Sequence, residues 1–408
     1  MGNETRFSVI IFAEPMWESK IWTNPQHVAS RVARLHPVMY VQVPITPFHL
    51  FSDRGRQSIH QGYLWQPSHN LYIYTPVVLF PHPYRCTRVL KYFDWMNGLI
   101  LSKQMLLVLR RLGFFQFPLV LWFFSPRFWR VVGCLQETIV CYHCTDEYSA
   151  MPFSPTKQRR LQQEEYWLIR KSDLVFTTAL TLYERKKKYN PNTYYAPNAA
   201  DVDHFAYAEK VQKPKDLQGI SSPIIGFIGA IDKYKVDFAL LEFLATTHPN
   251  WNFVMIGPIG NMDNTSLNHI PRAPNIYYLG HRDYNELPDY VSCFDVCIIP
   301  YSINEYTETV FPLKFFEYLA AGKPIVSTDL PALREFENVA YISKTKEDFA
   351  ANIQKALLET SLPERERRSL LQQRLAVAES NSWDARVQML LETISTYLAS
   401  LGDGGDNV

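Results

Sequence analysis

The sequence predicts an α/β protein built from two Rossmann-like, doubly wound domains. Three observations predict it. The chain has 408 residues, long for one core and suited to two domains of roughly 150–200 residues each. A strand–helix–strand pattern starts at Phe7 and starts again at Ile224. Between the two runs lies a polar stretch, Val211 to Ser222, interrupted by Pro214 and Gly219, with the composition of a linker.

Composition narrows the function classes. Hydrophobic residues make up 47% and charged residues 20% of the chain, enough apolar mass for proper cores and too little charge for disorder. A net charge of +1 gives no support to a nucleic-acid partner, so any anion site must be local. The six cysteines include Cys141-x-x-Cys144. No second pair has zinc-ligand spacing, and residues three apart on a strand point to opposite faces. Buried free thiols in a reducing compartment fit better. The start, MGNETR, is polar, and Phe7 to Ala13 is too short for a secretion signal. The apolar run Phe114 to Phe124 is far short of a membrane span. The expectation is a cytoplasmic protein.

In chain order, Phe7 to Ala13 is nearly all apolar, the pattern of a central parallel strand. Pro25-Gln26-His27 opens a helix to about Leu35, and Val38 to Val43 is the next strand, which completes a βαβ unit. Leu71 to Thr75, Pro118 to Phe124, Thr138 to His143 and Asp173 to Thr178 read as further strands. Residues 84–113 form one long helix carrying Arg85, Arg88, Lys91, Lys103, Arg110 and Arg111 among aromatic and aliphatic residues; Arg127, Trp129 and Arg130 follow. This segment fits either an anionic membrane surface or an amphipathic helix packed on the sheet. Helices from Pro155 to Lys171 and Leu180 to Tyr189 complete the half. His143, Asp146 and Glu147 fall at a strand's carboxyl end, where parallel sheets hold ligands. Asp146 also fits a turn or helix cap.

In the second half, the strand Ile224 to Ala230 ends with Gly226 and Gly229, which would let backbone approach a ligand. Phe253 to Gly257, Ile276 to Gly280 and Asp295 to Pro300 are strands; His281-Arg282-Asp283-Tyr284 leads into a helix from Glu286 to Cys293. Thr307 to Thr328, TETVFPLKFFEYLAAGKPIVST, reads as loop, helix, tight stop and buried strand. Pro312 suits a helix start, and Gly322 with Pro324 a stop. Leu313, Phe316 and Ala320 give the helix an apolar face. Lys314 and Glu317, three apart, share one side. Glu317 flanks the buried face, so its carboxylate needs donors. Ribose hydroxyls would serve, and the helix start with Lys314 would favour a diphosphate. The same spacing fits an ordinary surface ion pair. Ser382-Trp383-Asp384 begins a last helix to about Ser400, and LGDGGDNV reads as a disordered tail.

Pro312-x-Lys314-x-x-Glu317-Tyr-Leu-Ala-Ala-Gly-Lys-Pro-Ile-Val resembles the donor-site motif of group 1 glycosyltransferases with the GT-B fold. With Asn304 and Thr307 it is similar to a bacterial subset that builds cell-surface polysaccharides, teichuronic acid enzymes among them; Asn24-Pro-Gln-His-Val-Ala resembles the same subset. The resemblance is specific in the C-terminal half and looser in the N-terminal half. Many members carry two glutamates separated by seven residues; here the first position is Thr309, with Glu308 beside it. The loop Glu14 to Asn24 also lacks the glycines common after the first strand.

The resemblance implies a transferase, of hexosyltransferase type, that uses a nucleotide sugar, with UDP as the nucleotide, and needs no metal or other cofactor. It implies an acceptor-side domain at 1–210 and a nucleotide domain at 223–380, joined by 211–222 and facing an interdomain cleft. Residues 381–400 would cross back to the first domain, and 401–408 form the tail. Donor contacts are implied at Gly229, Lys233, Arg282, Tyr284, Thr307, Thr309, Pro312, Leu313, Lys314 and Glu317. Glu317 would hold the ribose, and Lys314 with backbone N–H groups the leaving diphosphate. His27, His143 and Glu147 fall on the acceptor side. Asp146, at a strand end, is the candidate for the base that an inverting enzyme needs; a retaining enzyme of this fold needs none in that position. Asp201-x-Asp203 follows a domain-closing strand and is not read as a metal motif. The implied partners are a UDP-sugar, a lipid-linked or glycan acceptor and an anionic membrane surface on the inner face of the cell membrane. A nucleotide-sugar epimerase of the same fold, and a non-catalytic partner that binds sugar nucleotides, are the alternatives.

Overall fold

A computed structural model describes residues 6–19, 22–47, 62–80, 88–148, 150–151, 153–206, 213–260 and 269–403. Arg85, Cys86, Val211, Gln212 and the expected tail after Asp403 lie outside the described residues. The chain divides into two units, Met1–Ala196 with Val387–Val408, and Pro197–Arg386.

The first unit runs β1 (Ser8–Phe12), α1 (Asn24–Val32), β2 (Val38–Val41), β3 (Leu64–Ser68), β4 (Leu71–Tyr74), α2 (Arg88–Arg111), β5 (Leu119–Phe123), β6 (Ile139–Cys144), α3 (Pro155–Lys171), β7 (Leu174–Thr177), α4 (Leu180–Lys186) and β8 (Thr193–Tyr195). Its sheet has the order β3-β4-β2-β1-β5-β6-β7-β8. Only the β3–β4 pair is antiparallel. The apolar runs form these strands because helices shield both faces. On one face Ile10, Phe12, Leu121, Phe123, Val140 and Tyr142 meet Leu101, Met105 and Leu109 of α2, Leu168 and Ile169 of α3, and Leu182 of α4. Alternate strand residues share a face, so α2, α3 and α4 form one layer. Gly113, left-handed at φ 74°, follows α2 where the chain turns toward β5.

The second unit runs β9 (Ile224–Ile228), α5 (Phe238–Thr247), β10 (Asn252–Ile256), β11 (Ile276–Gly280), α6 (Leu287–Cys293), β12 (Val296–Ile299), α7 (Lys314–Ala320), β13 (Ile325–Thr328), β14 (Tyr341–Ser343), α8 (Lys346–Leu358) and α9 (Glu364–Ser380). The sheet order is β11-β10-β9-β12-β13-β14, parallel throughout. The order reverses between β9 and β12. A crevice opens beyond the carboxyl ends of strands at such a reversal, and the Thr307–Thr328 segment begins on the loop that leaves β12. The last helix, α10 (Trp383–Asp403), starts in this unit and groups with the first from Val387 on; there Tyr397 donates to the Asp173 carboxylate at 3.4 Å.

The expected boundary at residue 210 moves to 196/197. Ala200 and Phe205 are buried in the second core, and Ala200 bridges to Ser382. The described part of the expected linker is not a free tether either. Leu217 and Ile220 join the same core, and the Lys213 ammonium donates to the Ile220 carbonyl at 2.6 Å.

Candidate functional site

The site is built on α7. The helix begins at Lys314, with the Phe315 N–H bonded back to the Pro312 carbonyl at 3.1 Å. Its end is a Schellman motif: Gly322 sits at φ 70°, Lys323 N–H reaches the Tyr318 carbonyl at 3.0 Å, and Gly322 N–H reaches Leu319 at 2.9 Å. Tyr318 is fully buried, and its hydroxyl accepts the Ile228 N–H at 2.8 Å. That bond fixes α7 against the end of β9.

Lys314 and Glu317 form an ion pair at 2.5 Å. This is not the surface pair that spacing allows, because the side chains are only 18% and 8% exposed. Burial pushes the Glu317 carboxyl above its ordinary range, and the Lys314 ammonium pulls it back without cancelling the effect. Two rings flank the ammonium, Phe205 at 5.5 Å and Tyr284 at 5.7 Å. His204 stacks on Tyr284 at 4.4 Å and 12°, and its Nε2 donates to the Tyr284 carbonyl at 3.0 Å. Asn198 donates to the Phe311 carbonyl at 2.7 Å, tying the same segment to the motif loop. Three stretches far apart in sequence therefore meet around one carboxylate and one ammonium. A carboxylate that accepts from a diol and an ammonium that meets a phosphate are the chemistry of a nucleotide site.

Sequence reasoning missed His204 and Phe205. The Asp201-Val-Asp203-His-Phe signal was there, but it reads as the close of the first domain rather than a wall of the second.

The other expected donor residues differ in their surroundings. Thr307 and Thr309 are fully buried. The Thr307 hydroxyl donates to the Ser302 carbonyl, and that of Thr309 to the Tyr306 carbonyl at 2.7 Å. Asn304 caps the same turn, accepting from Tyr306 and Thr307 N–H at 3.0 Å each. Buried hydroxyls need partners, and these find them in their own loop. The hydroxyls of the two threonines are thus engaged within their own loop. Pro312 is buried and Leu313 half-buried. Arg282 pairs with Asp216 at 2.5 Å and donates to the Tyr290 hydroxyl at 2.8 Å, so its charge is already matched. Lys233 is exposed on the loop after β9. A Cβ on Gly226 would lie 2.0 Å from the Phe294 ring, and one on Gly257 2.0 Å from the Gly229 carbonyl oxygen. Gly226 thus serves packing, and Gly229 lies against the neighbouring strand end.

In the first unit, His143 is 2% exposed in β6, among Phe124 at 4.8 Å, Phe176 at 5.8 Å and Trp122 at 6.2 Å. It is a core residue, which corrects the acceptor-side reading. Glu147 is buried and paired with Lys186 at 3.2 Å and Arg185 at 3.4 Å. Lys186 also meets Glu165 at 2.9 Å, so Glu147 belongs to an internal charge cluster. Asp146 is half-buried just after β6, and its Oδ2 accepts the Thr145 hydroxyl at 3.3 Å. His27 is buried in α1, edge-on to Trp22 at 5.5 Å, with Nδ1 3.4 Å from Arg31. The strand order of this unit reverses between β1 and β5. There Glu14 accepts from Ser125 at 2.7 Å and pairs with Arg127 at 3.1 Å. Sequence reasoning singled out neither Glu14 nor Ser125, because a strand order cannot be read from isolated loops. Among the described residues no three His, Cys, Asp or Glu side chains are grouped as a metal ion would need.

These features define a two-domain α/β protein of the GT-B fold, with the Lys314–Glu317 pair in its second unit. Residues 222–359 match the family model of glycosyl transferases group 1, and the chain carries a glycosyltransferase group 1 domain. It is 29% identical over 252 residues to TuaH of Bacillus subtilis (strain 168), assigned as a teichuronic acid biosynthesis glycosyltransferase; the match covers 58% of this chain and 63% of TuaH, under two thirds of that protein. Among solved structures, the sucrose-phosphate synthase of Thermosynechococcus elongatus matches with a TM-score of 0.70 at 12% identity, covering 97% of this chain and 100% of that one. Anabaena HepE in complex with UDP and glucose matches with a TM-score of 0.63 at 12% identity, covering 95% of this chain and 99% of that one. At these identities the likeness is one of fold.

Proposed function

We propose that the chain is a glycosyltransferase of the hexosyltransferase type. It would carry a sugar from a UDP-sugar to a lipid-linked or glycan acceptor in cell-surface polysaccharide synthesis. The observation that carries the reading is the Lys314–Glu317 pair, largely buried beside Phe205 and Tyr284 in a group 1 domain. UDP is supported by the HepE complex, and the polysaccharide by the assignment of TuaH.

In this reading Glu317 accepts from the ribose hydroxyls, which frees Lys314 to turn to the diphosphate. The ammonium then stabilises the charge that develops as UDP leaves, the work a metal does elsewhere, so transfer needs none. Asp146 takes the acceptor proton if the enzyme inverts.

Radiolabelled UDP-sugars offered with a lipid-linked acceptor extract, with and without EDTA, test the reading. Label in the lipid or glycan fraction, insensitive to EDTA, is expected. An epimerised donor, or no turnover by protein that binds UDP, refutes the transferase; loss of transfer in EDTA refutes metal independence.

A further inference from the structure

α2 is apolar on two opposite sides. Leu101, Met105 and Leu109 are buried in the first unit's core. Tyr92, Trp95, Met96, Leu99 and Leu107 are exposed, at 70%, 56%, 38%, 38% and 69%. At roughly 100° per residue, these five fall within an arc of about 120°, and the buried three lie on the opposite arc. Lys103 and Arg110, both exposed, continue the outer stripe. A helix of this length runs about 36 Å, so the stripe is long.

A second aromatic patch adjoins it. Trp129 stacks on the exposed Trp167 of α3 at 6.3 Å, with the Arg130 guanidinium 4.7 Å and the Lys171 ammonium 5.9 Å from the Trp129 ring. Asp94 of α2 pairs with Arg130 at 3.5 Å and Arg160 at 2.6 Å, which fixes the patch beside α2.

Charge decides what covers this surface. The exposed charged side chains described on α2 and α3 are Lys103, Arg110, Arg111, Arg159, Arg170 and Lys171, all basic. The acids of the two helices are withdrawn: Asp94 into its arginine pairs, Glu164 against Arg160 and Glu165 against Lys186. A second copy of the same face would set like charges together, and an aliphatic stripe has no use for a nucleic acid. Tryptophan and tyrosine among lysine and arginine suit the zone between lipid headgroups and acyl chains.

We infer that the outer side of the α2–α3 layer is a docking surface for an anionic bilayer. Trp95, Leu99 and Leu107 enter the acyl boundary, and the basic side chains meet headgroup phosphates. This deepens the lipid-linked acceptor of the proposed function and rests on that reading only for its purpose.

Flotation of the full chain with phosphatidylcholine vesicles, with and without phosphatidylglycerol, tests it. Binding to the anionic vesicles is expected at low salt, weakened at high salt and absent with phosphatidylcholine alone. The double variant Trp95→Ser/Leu107→Ser and the triple variant Lys103→Glu/Arg110→Glu/Arg111→Glu should each lower binding at least about tenfold, with circular dichroism unchanged. Brominated lipid should quench wild-type tryptophan fluorescence more than that of Trp95→Phe. Wild type that fails to float with anionic vesicles, or folded stripe variants that float equally, overturns the inference. So does a stripe variant that turns a dimer into a monomer on sedimentation, which would assign the face to a second copy. No arm measures sugar transfer, so failure of the transferase reading is a separate result.

Discussion

Glu317→Gln separates the two readings of the central ion pair. If the pair is structural, removing one buried partner should destabilise the fold by about 3–5 kcal/mol and leave nucleotide affinity alone. If Glu317 is a ribose acceptor, the loss is a hydrogen bond to a charged group, about 1.5–3 kcal/mol. The UDP dissociation constant then rises roughly 10- to 150-fold. The pH behaviour sharpens the contrast. Burial holds the folded pKa of Glu317 above its ordinary value of 4.5. A raised pKa means that its contribution to stability is full below the unfolded pKa and is lost as pH rises through the folded one. Above its folded pKa the ionised, desolvated Glu317 is therefore a cost to the fold. Glutamine removes that cost, and Lys314, at 18% exposure, can turn to water. The expected outcome is a melting temperature at pH 7 that stays level or rises, with UDP affinity by calorimetry falling at least tenfold. A folded variant with unchanged UDP affinity, or a large loss of melting temperature with affinity intact, refutes the argument.

Lys314→Ala should lower turnover per bound donor more than UMP affinity, since leaving-group charge peaks in the transition state; equal losses in UMP and UDP-sugar binding at unchanged turnover would make it a binding residue only. Asp146→Asn should reduce transfer about 10²-fold or more with donor affinity retained. Near-wild-type transfer by the folded variant removes Asp146 as base and favours retention. His36, stacked on Phe7 at 3.9 Å, is pulled by burial from 6.5 down to about 4. Its contribution is present above pH 6.5 and lost as pH falls through 4, at most about 3 kcal/mol. Denaturant titrations at pH 7 and 4 should show that loss in the wild type and less of it in His36→Phe.

Much of this architecture was legible because local signals agree with global ones. The helix stop at Gly322–Pro324 is written in two residues, and the Schellman bonds follow from them. The buried strands read as unbroken apolar runs. Yet such runs lack the alternation that says which way a polar residue points, so His143 looked like a strand-end ligand and is a core residue. Thr307 and Thr309 carried the right chemistry, but a buried loop claims its own hydroxyls first. Arg282 could not be seen to be matched, because Asp216 lies in a stretch whose polar composition reads as linker. His204 and Phe205 join the site through tertiary packing that no spacing encodes.

Composition misleads in one more way, and the arrangement of charge shows how. A net charge of +1 excludes a broadly basic surface but says nothing of how the charges are sorted. On α9, exposed Glu364, Arg365, Glu366, Arg367 and Arg368 mix both signs within two turns, and Arg368 pairs with Glu364. Such a face is nearly neutral beyond a Debye length of about 8 Å. On α2 and α3 the acids are drawn into buried or half-buried pairs, and the exposed charges left are of one sign. Their fields add, and exposed aromatic residues lie among them. A chain of net charge +1 thus holds a helix of mixed charge in one unit and a basic face in the other. What decides between them is first the local count, ten basic side chains to three acidic ones on α2 and α3 against four to three on α9, and then the pairing of those three acids.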